Sequence, residues 1–284
     1  MLSPLLFDVF INDFLCGLGG GVAISGVVEN CNGLLYADDS CMLASSVIEM
    51  QNMLENAEKW SVDNGMKFNV KKCGFFMVGD QEDRQLLLNG EVVPKVDEYK
   101  YLGVMMDNSM DLNFSREANR RKKSTKNLIR MMTLFLGNKR IPPLVKSTLV
   151  KAKLLPVALW SSELWGGNKV LSWSVQVSLN KALRFVGSYS KGASINAIWK
   201  ELEVPPIFAT SSARRIRVAM KWKFQNSWIG LLLSNSIIPG RKLTWCKGSW
   251  RMVKKHVPLD DMNLDCQLIK DNVQGIIWCS LVSK

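Results

Sequence analysis

The spacing of apolar residues divides the chain into two kinds of pattern. Up to about residue 110, short apolar runs alternate with glycine and polar clusters, which predicts strands joined by tight turns. Two stretches in this part have helical spacing instead. Over residues 46–64, Leu54 and Ala57 fall on one face, and Ser46 and Glu49 form the pattern of a capping box at the start of a helix.

The other helical stretch covers residues 2–13, where Ser3 is a suitable N-cap and Pro4 suits the first helical position. Its apolar face is expected to include Leu6 and Val9. The predicted strands follow the short apolar runs, and one pair of runs flanks Asn89-Gly90, a dipeptide that favours a hairpin turn. The predicted strands cover residues 22–28, the hairpin 33–44, residues 66–69 and 74–78, the hairpin 86–93, and residues 99–106.

After residue 110 the apolar spacing is helical throughout. The first helix of this part is expected to end at Gly137 and to bury Ala118, Thr125, Leu128, Met132 and Phe135. The second is predicted to start at Pro142, with Val145 facing inward and Lys146 outward, and to be broken at Pro156. Further helices are predicted at residues 173–186, 195–202 and 208–225, and the signals beyond Pro239 are weak.

The charge changes sign close to the place where the pattern changes. Residues 1–99 hold 6 Lys/Arg and 15 Asp/Glu, a net charge of −9, whereas residues 100–284 hold 31 and 10, a net charge of +21. The two changes together predict an α+β chain with domains at 1–110 and 111–230 and an extension at 231–284. A strongly basic part indicates a polyanionic partner, most often nucleic acid, although a solvated Lys-rich surface is the plainer alternative.

The cysteines and the hydropathy limit the compartment. Seven cysteines are widely spaced without a CxxC pair, which favours free thiols in a reducing compartment over a disulfide framework or a zinc module. No apolar run reaches the length of a membrane span, and Asp8 and Asp13 interrupt the apolar N-terminal stretch. We therefore expect a soluble, intracellular protein without a membrane partner, and we leave nucleus or cytoplasm open.

The most distinctive chemistry is the adjacent pair Asp38 and Asp39 at the tip of the predicted hairpin 33–44. Two neighbouring carboxylates repel each other, and a divalent cation removes that cost because hard cations bind carboxylate oxygens. A polar hairpin turn without a ligand explains the same residues, since aspartate is common in turns. The pair alone leaves both interpretations open.

The order of several motifs decides between them. The chain runs from Leu-Ser-Pro-Leu-Leu-Phe at residues 2–7 to Tyr-Ala-Asp-Asp at 36–39, then to Asn-Gly-Met-Lys-Phe-Asn-Val-Lys-Lys at 64–72 and Tyr-Leu-Gly-Val at 101–104. This order resembles the reverse transcriptase domain of non-LTR, LINE-like retrotransposons. The resemblance implies that residues 1–110 form part of the polymerase palm, an antiparallel sheet with packed helices. The helical part then resembles the all-α thumb and connection region.

The resemblance also implies roles for individual residues. Asp38 and Asp39 match the catalytic pair that binds Mg²⁺ or Mn²⁺, and Lys72 matches a lysine that could protonate or neutralise pyrophosphate. A solvated lysine after a strand is the alternative for Lys72. Contacts with the primer or the nucleic-acid backbone are implied for Tyr36, Leu102, Gly103, Arg116, Arg120, Arg121, Lys122 and Lys123.

The implied partners are an RNA template, a DNA primer and deoxynucleoside triphosphates. Members of the family carry fingers and another catalytic aspartate ahead of the segment that begins at Met1, so we expect an N-terminally truncated domain that is inactive by itself. Two further hypotheses remain at this stage. One is a non-catalytic nucleic-acid-binding remnant of a retroelement, and the other is a helical protein-interaction module with incidental charge.

Overall fold

A computed structural model describes residues 3–24, 28–78, 84–108, 114–223, 225, 227, 229–231 and 245–256. The chain divides into residues 1–112, here called unit 1, and residues 113–284, here called unit 2. Unit 1 mixes helices with short antiparallel strands, whereas the described part of unit 2 is helical. The α+β class expected from the sequence is therefore confirmed, and the division lies close to the predicted change of pattern at residue 110.

The described strands of unit 1 form four separate two-stranded antiparallel hairpins instead of one sheet. Two helices accompany them, α1 (Ser3–Ile11) and α2 (Val47–Asp63). The strands are β1 (Val22–Ile24), β2 (Val28–Cys31), β3 (Gly33–Tyr36), β4 (Asp39–Met42), β5 (Leu87–Leu88), β6 (Glu91–Val92), β7 (Glu98–Tyr101) and β8 (Val104–Asp107). Each strand pairs with its neighbour in sequence, from β1 with β2 to β7 with β8.

Helix α2 is the element on which the hydrophobic core of unit 1 is built. Its buried residues Met53 and Ala57 pack in a cluster with Phe14 and Leu18, both from the segment after α1. Leu54 belongs to a second cluster, which contains residues of the β5–β6 hairpin. Burial on two sides fixes α2 between the N-terminal segment and that hairpin.

The start of α2 confirms the predicted N-cap but changes the role of its acidic residue. The Ser46 hydroxyl accepts a hydrogen bond of 3.1 Å from the Glu49 amide. The Glu49 carboxylate accepts bonds of 2.6 Å from the Ser45 amide and hydroxyl, and one of 3.1 Å from the Gly21 amide. The Ser45 side-chain bond is the main reason that the pKa of Glu49 is lowered. Glu49 thus connects the turn at Gly21 to the start of α2 through a hydrogen bond to its charged carboxylate.

Three predicted strands of unit 1 are wrong. Residues 66–69 have no strand structure, and residues 74–78 contribute a single bridge between Phe75 and Lys95. Phe68 and Phe75 nevertheless pack against the core clusters. The apolar residues of these two segments are therefore explained by burial and not by strand pairing. The predicted strand 99–106 is a hairpin, because Leu102 and Gly103 have φ angles of 47° and 80° and reverse the chain.

The α-helices of unit 2 include α3 (Ser115–Gly137), α4 (Pro143–Leu149), α5 (Leu155–Ala158), α6 (Ser162–Trp165), α7 (Lys169–Val186), α8 (Ile195–Glu201), α9 (Ile207–Lys223) and α10 (Trp245–His256). Helices α3 and α7 supply much of the main core, where Ala118 and Leu136 join Leu179 and Leu183. Helix α9 packs against α10, which the weak signals beyond Pro239 did not predict. Residues 232–244 and 257–284 of the predicted extension lie outside the described residues.

Pro156 does not break the helical path as predicted. A π-helix, Val150–Leu154, connects α4 to α5, and the Leu155 amide bonds to the Val150 carbonyl five residues back. The wider turn accommodates a proline that lacks an amide hydrogen.

The inward face of this segment is also different from the prediction. Lys146 is 2% exposed, whereas Val145, expected inside, is 49% exposed. No helix in the described residues is long and apolar enough to cross a lipid bilayer.

Candidate functional site

The β3–β4 hairpin carries the predicted aspartates at its tip. Tyr36 pairs with Asp39 across the ladder, so Ala37 and Asp38 form a two-residue turn. Both aspartates and Tyr36 are exposed. At the base of the hairpin, a Cβ on Gly33 would lie 2.6 Å from the Cys41 carbonyl oxygen, so the close approach of the strands requires glycine there.

The tip is held in an unfavourable backbone conformation. Ala37 has a φ of 51°, in the left-handed region that non-glycine residues seldom adopt. Such a residue costs about 1–2 kcal/mol and persists only where the surrounding structure imposes it. Leu35 and Met42, which pack against the core around α2, anchor the two strands.

Two tyrosines of the β7–β8 hairpin lie within electrostatic reach of Asp39. Tyr99 and Tyr101 alternate with Lys100 on β7, so their side chains share one face, and both are half-buried. Burial is the main cause of the raised pKa of each phenol, and the negative charge of Asp39 raises both further. The exposed Asp39 carboxylate therefore interacts electrostatically with two half-buried phenols.

Lys72 belongs to the same neighbourhood through its backbone. The Tyr99 hydroxyl donates a hydrogen bond of 2.6 Å to the Lys72 carbonyl oxygen, and the Lys72 side chain is exposed. A Cβ on Gly74 would lie 3.2 Å from the Tyr99 ring, so the chain passes close to that ring. Burial also raises the pKa of the Cys73 thiol beside them. The structure thus connects Lys72 and Asp39 to one tyrosine.

Leu102 and Gly103 are not strand residues. They form the turn between β7 and β8, immediately after Tyr101. Leu102 is 39% exposed and has a φ of 47°, a rare conformation for a bulky side chain. The predicted contact of these residues with a primer would therefore be made from a hairpin turn.

The predicted cationic cluster on α3 divides into exposed and buried members. Arg116, Lys122 and Lys123 are exposed, and the Arg120 side chain keeps 27% exposure while its Nε donates to Glu117 over 2.9 Å. The expectation that Arg121 is exposed is wrong, because Arg121 is 8% exposed.

The reason is a buried carboxylate on the same helix. Glu117 is 1% exposed and accepts hydrogen bonds from Arg120 and from Arg121 Nε. The Arg121 guanidinium also lies over the Trp160 ring, 6.0 Å from its centroid. Arg121 turns inward because a buried carboxylate requires a cationic partner.

The donor set at the tip suits a divalent cation. Mg²⁺ is commonly held by one or two carboxylates together with water and substrate phosphates, and two exposed carboxylates provide that set. Among the described residues, no group of three or more His, Cys, Asp or Glu side chains could hold a metal ion. Asp38 and Asp39 are adjacent exposed carboxylates at this hairpin.

The sequence interpretation missed Tyr99 and Tyr101. Their two-residue spacing places them on one strand face, and this signal was visible in the sequence. Nothing in the local pattern showed that this face lies within electrostatic reach of Asp39, because the two hairpins are about sixty residues apart in the chain.

Comparison with known proteins places these features in a family. Residues 1–106 match the family model described as reverse transcriptase (RNA-dependent DNA polymerase). The chain is 28% identical over 146 residues to the RNA-directed DNA polymerase from mobile element jockey of Drosophila funebris, an alignment that covers 48% of this chain and 15% of the relative.

The corresponding jockey protein of Drosophila melanogaster is 23% identical over 281 residues, which is 93% of this chain and 29% of the relative. The chain thus spans less than a third of the length of either relative. Its residues 1–106 thus match the reverse transcriptase family model, and the chain is homologous to the RNA-directed DNA polymerase from mobile element jockey.

Proposed function

We propose that this chain serves in RNA-directed DNA synthesis, in which deoxynucleotides are added to the 3′-hydroxyl of a DNA primer on an RNA template. The observation that carries the proposal is the pair Asp38 and Asp39, adjacent and exposed at a hairpin tip within the matched residues. The left-handed backbone of Ala37 supports it, since strain of this kind is concentrated at functional sites.

Asp38 and Asp39 would hold Mg²⁺ or Mn²⁺. The cation would supply charge stabilisation at the transferring phosphate and activation of the primer hydroxyl. The two carboxylates provide the negative charge that attracts it, and the exposed position leaves room for phosphate oxygens. Tyr36, which is 65% exposed next to the pair, would contact the primer end.

Lys72 would act on the leaving pyrophosphate. Its side chain is exposed, and its backbone carbonyl accepts a hydrogen bond from the Tyr99 hydroxyl. Tyr99 is one of the tyrosines whose pKa the Asp39 charge raises. A lysine in this place could neutralise pyrophosphate or give it a proton. Leu102 and Gly103, in the turn after Tyr101, would touch the primer backbone, where glycine allows close approach.

Unit 2 would hold the template and primer by their phosphates. Residues 113–284 contain 30 Lys/Arg and 8 Asp/Glu, a net charge of +22. On α3, exposed Arg116, Lys122 and Lys123 would bind phosphates directly, and Arg120 would contribute through its exposed part. Affinity from such contacts falls steeply as the salt concentration rises, because the counterions that binding releases from the phosphates then gain less entropy. Unit 1 would then correspond to part of a palm and unit 2 to a thumb and connection region.

The first experiment measures metal binding by the chain itself. Titration with Mn²⁺, followed by the loss of the free-ion electron paramagnetic resonance signal, should show a site that Asp38→Asn/Asp39→Asn abolishes. Asp63→Asn is the matched control, since Asp63 is an exposed carboxylate at the end of α2. Equal Mn²⁺ binding by all three proteins would contradict the metal role.

The second experiment tests catalysis. A chimera joins this chain to the polymerase segment that precedes the matched region in the Drosophila melanogaster relative, and it is assayed for primer extension on an RNA template. Asp39→Asn should lower extension on the order of 10³-fold, since metal stabilisation of the transition state contributes several kcal/mol. A chimera in which Asp39→Asn leaves extension unchanged would refute the catalytic proposal.

A second candidate function is non-catalytic nucleic-acid binding by unit 2. The exposed cations of α3 favour it, because they need no contribution from the Asp pair. In this case a primer–template duplex binds with an affinity that decreases with salt and does not change in Asp39→Asn. Affinity that is indifferent to salt would contradict this candidate.

A further inference from the structure

Unit 2 contains a cavity of about 490 Å³ between α7, α8 and the beginning of α9. This volume is within the range of pockets that hold small organic groups, about 300–1,000 Å³. The apolar side chains that line it are Val170, Trp173, Ile195, Trp199, Pro206 and Phe208. None of the described residues that line it is acidic.

Two side chains that line the cavity, those of Trp199 and Gln176, are already hydrogen-bonded to Asn180. The Trp199 indole donates a hydrogen bond of 3.1 Å to the Asn180 side chain, which also accepts one of 2.7 Å from Gln176. The Gln176 oxygen accepts from the Ile207 amide at 2.5 Å. These side chains have little left to offer a ligand, so the cavity favours a group that presents a flat apolar face over one that needs several hydrogen bonds.

The side of the cavity near the start of α7 is open and cationic. Trp173 is 56% exposed although it lines the cavity, so part of its ring is available for stacking. Lys169, the first residue of α7, is exposed, and its Nζ lies 5.7 Å from the centroid of the Phe208 ring. The first turn of α7 carries no acidic residue, and the positive end of the helix dipole adds to the charge of the lysine.

We propose that this cavity takes one unpaired base of a nucleic-acid strand, which stacks on Trp173 while Lys169 binds its phosphate. Apolar aromatic walls beside a cation, within a unit of net charge +22, are complementary to an aromatic group that carries a negative charge. The proposal rests on the nucleic-acid binding proposed above and adds a single-strand site on elements other than α3. Because stacking uses the face of a base, the site tolerates different base sequences.

The test compares two strands of equal charge with the full chain. Fluorescence anisotropy measures binding of labelled oligodeoxythymidine of about twelve nucleotides and of the same backbone with abasic sugars throughout. The wild-type chain should prefer the strand with bases on the order of tenfold, equivalent to about 1.4 kcal/mol. Trp173→Ala should remove this preference, and Trp173→Phe should keep most of it.

Two variants complete the design. Phe185→Ala is the matched control, since Phe185 is a 43% exposed aromatic residue of α7 that does not line the cavity, and it should bind both strands as the wild type does. Lys169→Ala should lower the slope of log affinity against log salt by about 0.7 for both strands.

The outcomes separate the cavity from the wider proposal. Equal wild-type affinity for the two strands, or equal losses in Trp173→Ala and Phe185→Ala, would overturn the cavity as a base site while salt-dependent binding leaves the proposed function in place. A Trp173→Ala variant that keeps the full preference would overturn it too, because the bases would then bind at another place. Absence of salt-dependent binding to either strand would overturn both proposals.

Discussion

The cations of α3 provide the sharpest test of the structure, because neighbouring residues are expected to have opposite roles. Arg121→Met removes a cation that donates to the buried carboxylate of Glu117, whereas Lys122→Met removes an exposed cation. Methionine keeps much of the side-chain length in both variants. The pair is therefore matched in chemistry and differs in environment.

The magnitudes follow from burial. Breaking a buried ion pair by removal of one partner costs about 3–5 kcal/mol. Glu117 keeps its bonds of 2.9 and 3.2 Å from Arg120, so the loss for Arg121→Met should be near the lower end, about 3 kcal/mol. An exposed substitution away from such features changes stability by about 0.5 kcal/mol or less, which is the expectation for Lys122→Met.

Two assays distinguish the stabilising role of Arg121 from the phosphate-binding role of Lys122. Urea denaturation of the full chain, followed by circular dichroism, should show the loss of stability in Arg121→Met only. Anisotropy titrations of a primer–template duplex over a range of salt should show a slope reduced by about 0.9 in Lys122→Met and unchanged in Arg121→Met. If Arg121→Met keeps its stability and reduces the salt slope, Arg121 is a phosphate contact and the burial argument is refuted.

Three further perturbations concern unit 1. The hydrogen bonds that lower the pKa of Glu49 stabilise the fold at pH values above 4.5, the ordinary pKa of a glutamate. This contribution is lost as the pH falls through the lowered pKa of the folded state. Glu49→Gln should therefore reduce the free energy of unfolding at neutral pH by about 1 kcal/mol, with a difference from wild type that shrinks in acid; a difference independent of pH would contradict this.

Asp39→Asn should lower the pKa of Tyr99 and Tyr101, measured by tyrosinate absorbance, and unchanged titration curves would show that the carboxylate is remote. Ala37→Gly should stabilise unit 1 by about 0.5–1 kcal/mol in thermal or urea unfolding, because glycine accepts the left-handed φ; any loss of stability would contradict the strain.

Local sequence determined the elements whose reasons are local. The Ser46 cap of α2, the Asn89-Gly90 turn and the hairpin around Asp38 depend on a few adjacent residues, and each is found where the sequence places it. Their geometry depends on side-chain capping and on turn preferences that operate within four or five residues. The same reasoning failed for residues 66–69 and 74–78, where apolar residues serve burial without a strand partner.

Helical periodicity located the helices of unit 2 but not always their inner faces. The pattern identified α7, α8 and α9 within a few residues, yet it assigned Lys146 and Arg121 to the solvent side. A hydrophobicity pattern treats every cation as exposed, whereas a long side chain can be buried when its neighbours provide a partner or cover its methylene groups. Which cations these are depends on packing between elements far apart in the sequence.

The sequence by itself therefore determined the α+β class, the motif order that identifies the reverse transcriptase family, and the tip position of Asp38 and Asp39. Tertiary structure alone decided that Tyr99 lies within electrostatic reach of Asp39 and that an aromatic cavity is present in unit 2. The reason is that capping and turn formation depend on residues that are close together in the sequence. Burial and electrostatic interactions depend on residues that are distant in the sequence and come close together only in the folded protein.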